Sequence, residues 1–361
     1  VAVDRRGMGP STDPDCYAGT DAADLTRAGT GGDPLARAQS MMDAVTTATV
    51  SCTDVLRPAV DAFDAVHAAS DVETLRSYWG VDRIAMLAVG AGSDVALAYA
   101  ANVPEHVARM VLDSPAPVRL DAPALAERRA QADQAALARF EADCAATGCA
   151  LGPDPAGMLA TLLDSARSGI IRGISEGSVL TVIRQTLADA GAPWNERVRR
   201  LGDLLHGAVT GDVDSLRVFA DAQAVSSGAF AASCSDAPPA ATPAQSEKAQ
   251  SQWSERYPVF GADSAVRMLT CAAWPSHQDP ALPDKLDIPV LLYSGAADPV
   301  AGTGSVDSVN AALTRTGTTT STVSWEGVGH GVLWNSTCAT EQLGRYLGEA
   351  ALPPNGTACP A

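Results

Sequence analysis

Residues 84–92, IAMLAVGAG, decide the fold of this chain: an apolar run ends in a turn of small residues, and residues 93–101, SDVALAYAA, continue with helical composition. Such a strand–turn–helix unit is the setting in which the motif G-x-S-x-G lifts a serine oxygen above a parallel sheet. Gly90 occupies the serine position, and Ala88 and Gly92 occupy the positions of the flanking glycines. The pattern therefore predicts the frame of a nucleophile turn without its attacking atom.

Two polar residues follow the next predicted strands downstream. Residues 288–295, IPVLLYSG, are typical of a buried strand, and Asp298 comes shortly after them. A β-branched stretch over residues 319–325 precedes the turn that carries His330. Nucleophile position, acid and histidine thus occur in the chain order that the α/β-hydrolase fold uses, each just past a strand end. We therefore expect Gly90, Asp298 and His330 to lie together at one edge of a mostly parallel sheet.

Three further stretches carry a family resemblance. Residues 4–11, DRRGMGPS, are similar to a D-x-R-G-x-G-x-S turn, residues 104–115 to the helix and strand that come next, and residues 329–359 to a carboxy-terminal signature. These are features of the secreted tripeptidyl-aminopeptidase-like serine peptidases of the α/β-hydrolase superfamily, which the chain resembles over nearly its whole length. The resemblance implies an α/β-hydrolase fold, an exported hydrolase of peptides or esters, and catalytic roles at positions 90, 298 and 330.

The chain departs from that family in two places. Ala91 and Asp94, like Gly90, differ from the residues that the family usually has at these positions, so the nucleophile turn has changed at several positions together. Residues 1–4, VAVD, resemble the fourth strand of the fold, so the earlier N-terminal strands and the glycine-rich oxyanion turn are absent from the chain. Because a parallel sheet that lacks edge strands exposes unpaired backbone groups, we expect the sequence to be a fragment. The alternative is a second polypeptide that supplies those strands.

We expect the chain to divide into three parts: a first segment of the α/β core, an inserted helical segment and a second segment of the core. Residues 1–117 alternate short apolar strands with helical stretches, as βα units require, and residues 282–361 return to that pattern. Residues 118–281 are alanine-rich, with helical periodicity and no convincing strand. We interpret residues 118–281 as a helical lid inserted over the active-site face of the core.

Composition limits the classes of partner. The chain has 361 residues, of which 46% are hydrophobic, enough for a sizeable core. Its formal charge of −17 disfavours nucleic acid and anionic membranes as partners, and no apolar run reaches the ~18–20 residues of a membrane span. No histidine or cysteine spacing indicates a metal site, and no motif indicates a cofactor. The expected partners are a peptide or lipid-like ligand in the cleft, or a protein of the cell envelope.

The cysteines indicate an oxidising compartment. There are eight, an even set without any C-x-x-C pair, which is typical of disulfides in exported proteins. Spacing alone leaves the pairing open, whereas the family resemblance implies that neighbours pair in order: Cys16 with Cys52, Cys144 with Cys149, Cys234 with Cys271, and Cys338 with Cys359. We expect a secreted or cell-envelope protein, including one anchored as a lipoprotein through residues that precede the chain.

Three serines lie close to the motif positions. Ser93 falls most of a helical turn after Gly90 and is rotated away from it, so it should pack or cap the helix rather than replace the lost nucleophile. Ser114 and Ser294 adjoin predicted strand ends. We interpret all three as structural.

The pair formed by Asp298 and His330 admits two interpretations. Either the pair is a structural link between two loops, or it is a dyad in which His330 acts as general base on a water above Gly90. General-base catalysis of this kind raises the reaction rate roughly 10²–10⁴-fold. Three functions follow: an impaired hydrolase homologue that binds a ligand or partner, an active peptidase or esterase that uses this water or an unrecognised nucleophile, and a purely structural protein with a closed cleft. Glycine at the nucleophile position favours the first.

Overall fold

In the part of the chain that the structure describes, five parallel strands form one sheet, in which strands consecutive in the sequence are neighbours. The computed structural model describes residues 1–9, 11, 13–189, 191–277 and 281–361, so Pro10 of the DRRGMGPS turn lies outside the described residues. The strands are β1 (Ile84–Val89), β2 (Val107–Asp113), β3 (Val290–Ala297), β4 (Thr320–Val328) and β5 (Thr357–Cys359). The predicted parallel α/β architecture is confirmed. Because the strands are parallel, the loops that follow β1, β3 and β4 meet at one edge.

Helices surround the sheet. Those before and after the first strands are α1 (Gly19–Arg27), α2 (Pro34–Leu56), α3 (Ala65–Trp79) and α4 (Gly92–Asn102). Between β2 and β3 the described residues form eight: α5 (Ala122–Thr147), α6 (Pro155–Arg167), α7 (Glu176–Ala188), α8 (Trp194–Thr210), α9 (Val213–Ala222), α10 (Ser227–Ser235), α11 (Pro243–Arg256) and α12 (Gly261–Arg267). The last two are α13 (Ser305–Arg315) and α14 (Thr337–Glu349). None of the described helices combines the length and apolar composition needed to cross a bilayer.

The middle strands are buried on both faces. Met110 and Leu112 of β2 pack with side chains of α4 and α13 on one face. Val111 of β2 lies with Tyr293 and Val323 in a cluster on the other face, beside α14. Because successive side chains of a strand point to opposite faces, one apolar run contributes to two cores.

The strand β1 is the exposed edge of the described sheet. Among the described residues it pairs with β2 alone, and Leu87 is 47% exposed. Residues 1–4, expected to resemble a strand, are irregular, and Val1 and Val3 are exposed. The expectation of a strand is wrong here: a strand is stabilised by backbone pairing with a neighbour, and no described strand pairs with residues 1–4.

The eight helices between β2 and β3 have a core of their own. Leu137 and Phe140 of α5 pack with Leu180 and Ile183 of α7 and with Leu201 of α8. The described part of residues 118–281 contains no strand. A further cluster joins α1 and α2 to α10, α11 and α12, so the first two helices of the chain pack on the helical region, across the division that the sequence pattern suggested at residue 117.

Four disulfides tie the chain together. The bonds are Cys16–Cys52, Cys144–Cys149, Cys234–Cys271 and Cys338–Cys359, which is the pairing that the family resemblance implies. No cysteine of the described chain is free. The first and third bonds lie in the cluster that joins α1 and α2 to α10–α12, so they fasten the packing of these helices.

Candidate active site

The turn after β1 has the geometry of a nucleophile elbow. Gly90 has a φ of +56°, a left-handed conformation that is costly for ordinary residues and easy for glycine. Its N–H donates to the carbonyl of Asp113 at 3.0 Å, and its carbonyl accepts the N–H groups of Ser93 at 3.0 Å and Ala116 at 3.3 Å. The turn is therefore fixed against β2 and α4, but it presents no side chain.

The structure brings an aspartate and a histidine to this turn. Asp298 follows β3 and is 5% exposed, and its Oδ1 accepts the N–H groups of Val300 and Ala301, each at 2.9 Å. His330 follows β4, and its Nδ1 lies 3.0 Å from Asp298 Oδ2 and 3.1 Å from Oδ1. The aspartate is thus held by the backbone, and it in turn fixes the orientation of the imidazole ring.

The imidazole occupies the space where a nucleophile would stand. A Cβ built on Gly90 would lie 2.5 Å from Nε2 of His330 and 3.0 Å from its Cε1. A hydrogen-bonded oxygen needs about 2.7–3.2 Å from the ring nitrogen, so neither a serine side chain nor a water fits at that point while the ring stays in place. Gly90, Asp298 and His330 are therefore together as expected, but the site is closed over its own glycine.

The nearby serines have structural partners. Ser93 is fully buried, and its Oγ donates to the carbonyl of Gly90 at 2.6 Å and accepts the N–H of Ala116 at 3.1 Å. Ser114 Oγ accepts the N–H of Gly331 at 3.1 Å. Ser294 lies within β3, paired with the neighbouring strand. In the described structure none of these three hydroxyls is a hydrogen-bond partner of the His330 ring.

Sequence patterns missed a buried carboxylate that supports the histidine. Asp113, the last residue of β2, is fully buried, and its two oxygens accept the N–H groups of Val332 at 2.8 Å and Leu333 at 3.0 Å. Burial raises the pKa of Asp113, and these two N–H groups oppose that rise. The sequence signal that could have identified Asp113 was its position as a polar residue at the carboxyl end of a predicted strand. Asp113 therefore anchors the segment that follows His330.

A second buried carboxylate lies in the first turn of α4. Asp94 is 7% exposed, and its Oδ1 has no hydrogen-bond partner among the described residues. Burial raises its pKa to about 7, and the negative charge of Asp236 adds to this, whereas the positive charges of Arg5 and Arg129 oppose it. The described residues contain no group of three or more potential metal ligands that would account for such a carboxylate.

Asp94→Asn is expected to raise the free energy of unfolding by up to about 4 kcal/mol near pH 8. The pKa of Asp94 rises from an ordinary value of 3.8 to about 7, so between these values the folded chain holds a proton that the unfolded chain has released. Stability from this group is greatest below pH 3.8 and is lost as the pH rises toward 7. Urea unfolding of both proteins near pH 4 and pH 8 measures the difference, which should vanish at the lower pH.

The control is Asp82→Asn, because the Asp82 side chain is 89% exposed. This exchange should change stability by less than about 0.5 kcal/mol at either pH. A loss of stability on Asp94→Asn near pH 8 would contradict the interpretation and reveal a partner for the carboxylate.

Comparison with known families matches both ends of the chain. The family described as alpha/beta hydrolase fold matches residues 1–167. The family described as TAP-like protein matches residues 257–359, which include Asp298 and His330. The two matches thus cover the stretches that carry the turn at Gly90 and the aspartate–histidine pair.

Curated proteins and solved structures provide further similarities. Serine protease Hip1 of Mycobacterium tuberculosis and of Mycobacterium bovis is 26% identical over 331 residues, which cover 81% of this chain. The chain spans 61% of the length of these relatives. A hydrolase from Oleispira antarctica is 11% identical with a TM-score of 0.36, covering 92% of this chain and 98% of its own. Cfl2 of Burkholderia cenocepacia is 16% identical with a TM-score of 0.32, covering 81% of this chain and 74% of its own.

Proposed function

Because the chain belongs to the α/β-hydrolase fold family and has a TAP-like carboxy-terminal part, we propose that it is an exported peptidase homologue that binds a short peptide without cleaving it. The curated relatives bear the name serine protease, which favours a peptide over a lipid-like ligand. The four disulfides support a location in the cell envelope or outside the cell, because such bonds persist in oxidising compartments. The helices α5–α12 are the proposed lid of the cleft.

The loss of covalent catalysis rests on one observation, the imidazole above Gly90. A serine peptidase needs a hydroxyl oxygen within hydrogen-bond reach of the histidine, and an oxygen must come from a side chain at the nucleophile turn. Gly90 supplies none, and Nε2 of His330 lies 2.5 Å from the point where the first side-chain atom would be. The missing hydroxyl and the close approach of the imidazole to the Cβ position of Gly90 both support the loss of covalent catalysis.

The second candidate is slow hydrolysis by water. Its supporting observation is the contact of His330 Nδ1 with both oxygens of Asp298, at 3.0 and 3.1 Å, which is the arrangement that orients a general base. For such a reaction a water must lie within hydrogen-bond reach of Nε2 of His330, at a point other than the Cβ position of Gly90. General-base catalysis contributes about 10²–10⁴-fold, so the rate would stay far below that of a covalent triad.

Binding and cleavage can be separated in one experiment. Peptides of three to five residues with a free amino terminus are mixed with the protein, and the shift of the unfolding temperature is recorded. The same samples are then analysed by mass spectrometry for intact peptide. We expect a bound peptide to stabilise the protein by about 2.7 kcal/mol at a concentration of 100 times Kd, and to be recovered whole.

Each other outcome points to a different function. Cleavage that disappears in a His330→Ala variant would establish the water mechanism and contradict the proposal. Stabilisation by acyl lipids in place of peptides would change the ligand class. If neither peptides nor acyl lipids stabilise the protein, the remaining functions are a purely structural role and binding to a cell-envelope partner.

A further inference from the structure

The segment that carries His330 is held from two sides. We call residues 329–333 the histidine loop. On the core side, Asp113 and Ser114 accept its N–H groups. On the helical side, the N–H of His330 itself donates to the carbonyl of Ala188, the last residue of α7, at 3.1 Å. The position of His330 therefore depends on the place where α7 ends.

A buried arginine joins the same two elements just before the histidine loop. Arg197 of α8 is 1% exposed. Its Nη1 donates to the carbonyl of Leu187 in α7 at 2.6 Å, and its Nη2 donates to the carbonyl of Val328 in β4 at 2.7 Å. The planar guanidinium offers separate N–H groups in fixed directions, so one side chain can link two carbonyls. It also lies 5.0 Å above the ring of Trp194.

Burial of the charged guanidinium of Arg197 has a free-energy cost that an apolar side chain filling the same space would not have. Burial lowers the pKa of Arg197, and the negative charge of Asp189 opposes that change. Among the described residues Arg197 forms no salt bridge, and Asp189 pairs with Arg200 instead. The last carbonyls of a helix lack partners within the helix, so a cation at the end of α7 gains from both hydrogen bonding and the helix dipole. The same cation holds the end of β4.

The backbone of the histidine loop is shaped around the guanidinium. Gly329 has a φ of +139°, and a Cβ built on it would lie 3.0 Å from Nη1 of Arg197. A side chain at this position would therefore be strained and would press on the arginine. The close approach of Gly329 to Arg197 places the guanidinium directly beside the loop.

We propose that Arg197 is a positioning residue for His330. By linking the carbonyls of Leu187 and Val328, it sets the distance between the end of α7 and the histidine loop, and thereby the place of the imidazole above Gly90. Because Nε2 lies only 2.5 Å from the Cβ position of Gly90, a small displacement of the loop decides whether that space is filled or open. The inference treats His330 as part of the proposed site, but its test requires no ligand.

Carbethoxylation by diethyl pyrocarbonate, mapped by mass spectrometry, tests this role. The reagent modifies accessible imidazole nitrogens, and the side chain of His330 is 20% exposed, against 47% for His67. In Arg197→Met we expect His330 to react about tenfold faster than in the wild type, because loss of a charge-assisted link lets the loop open more often. His67 should keep its rate.

Arg199→Met is the matched control, and Arg197→Lys is the conservative variant. Arg199 lies on the same helix, is 68% exposed and pairs with Asp203 at the surface, so its loss should leave the rate at His330 unchanged. Arg197→Lys keeps the buried charge but offers one ammonium in place of a fork, so about a threefold increase is expected. The downfield NMR resonance of the His330 Nδ1 proton should broaden in the same order.

An unchanged rate and an unchanged resonance in folded Arg197→Met would overturn the proposal. If Arg197→Met does not fold, the comparison of Arg197→Lys with Arg199→Met decides: equal rates at His330 would overturn it, and a faster rate in Arg197→Lys alone would support it. These readouts concern the ring itself, so they stand even if the peptide of the proposed function is never bound.

Discussion

A serine-directed fluorophosphonate probe is expected to leave the wild-type protein unlabelled and to label Gly90→Ser slowly. The probe forms a bond to an activated serine oxygen, and position 90 has none. Removing the nucleophile of a serine peptidase lowers kcat by about 10⁶-fold, so even weak labelling of the variant is easily distinguished from the wild type. Labelling is measured as probe bound per chain over time, with the modified residue mapped by mass spectrometry.

Slow labelling follows from the closed geometry. The new Cβ would lie 2.5 Å from Nε2 of His330, so the ring must move, and its movement weakens the contacts with Asp298. A side chain at a φ of +56° is also strained. Together these effects should lower the free energy of unfolding by about 1–3 kcal/mol.

Gly92→Ser provides the matched control. A Cβ built on Gly92 meets only Ala88, at 3.9 Å, which is ordinary contact. We expect no labelling of this variant and little change in stability. Wild-type labelling at Ser93 or Ser294 would show that the nucleophile has moved, and labelling of Gly90→Ser as fast as in an active serine hydrolase would contradict the closed site.

Removal of Cys234–Cys271 by double alanine substitution is expected to cost about 4 kcal/mol of stability, twice the cost for Cys144–Cys149. A disulfide lowers the entropy of the unfolded chain, and the effect grows with the length of the loop it closes. The residues of the first bond are 37 apart in sequence and those of the second are 5 apart. Urea unfolding of both double variants beside the wild type gives the two differences.

The pair of variants is its own control, because both remove one bond from the helical part of the protein. Equal losses would show that loop length does not govern the stabilisation.

Thiol titration of the denatured, non-reduced protein should find no free thiol. Two reactive thiols per chain would contradict the disulfides and with them the argument for export.

The sequence predicted the parts of the site that depend on strand ends. Gly90, Asp298 and His330 each follow an apolar run by a few residues, and in a parallel sheet such positions meet at one edge whatever the rest of the chain does. The parallel architecture itself could be predicted for the same reason. The closure of His330 over Gly90 could not, because it depends on ring placement to within an ångström.

Contacts with backbone carbonyls leave no pattern in a sequence. Arg197 acts on Leu187 and Val328 through their carbonyl groups, which every residue has, so neither partner can be recognised from its type. The packing of α2 on α11 and α12 was missed for a related reason. Helical periodicity shows that a face is apolar, but it does not tell which of several apolar faces will cover it.

The outer edge of β1 makes the behaviour of this chain in concentrated solution depend on salt. Its backbone groups have no strand partner among the described residues, and Leu87 adds an apolar side chain beside them. Two copies can join such edges into a continuous intermolecular sheet. The formal charge of −17 opposes their approach, but the Debye length falls from about 30 Å at 0.01 M salt to about 3 Å at 1 M, so the repulsion fades as salt is added. We therefore expect this chain to associate more readily at high ionic strength than in dilute buffer.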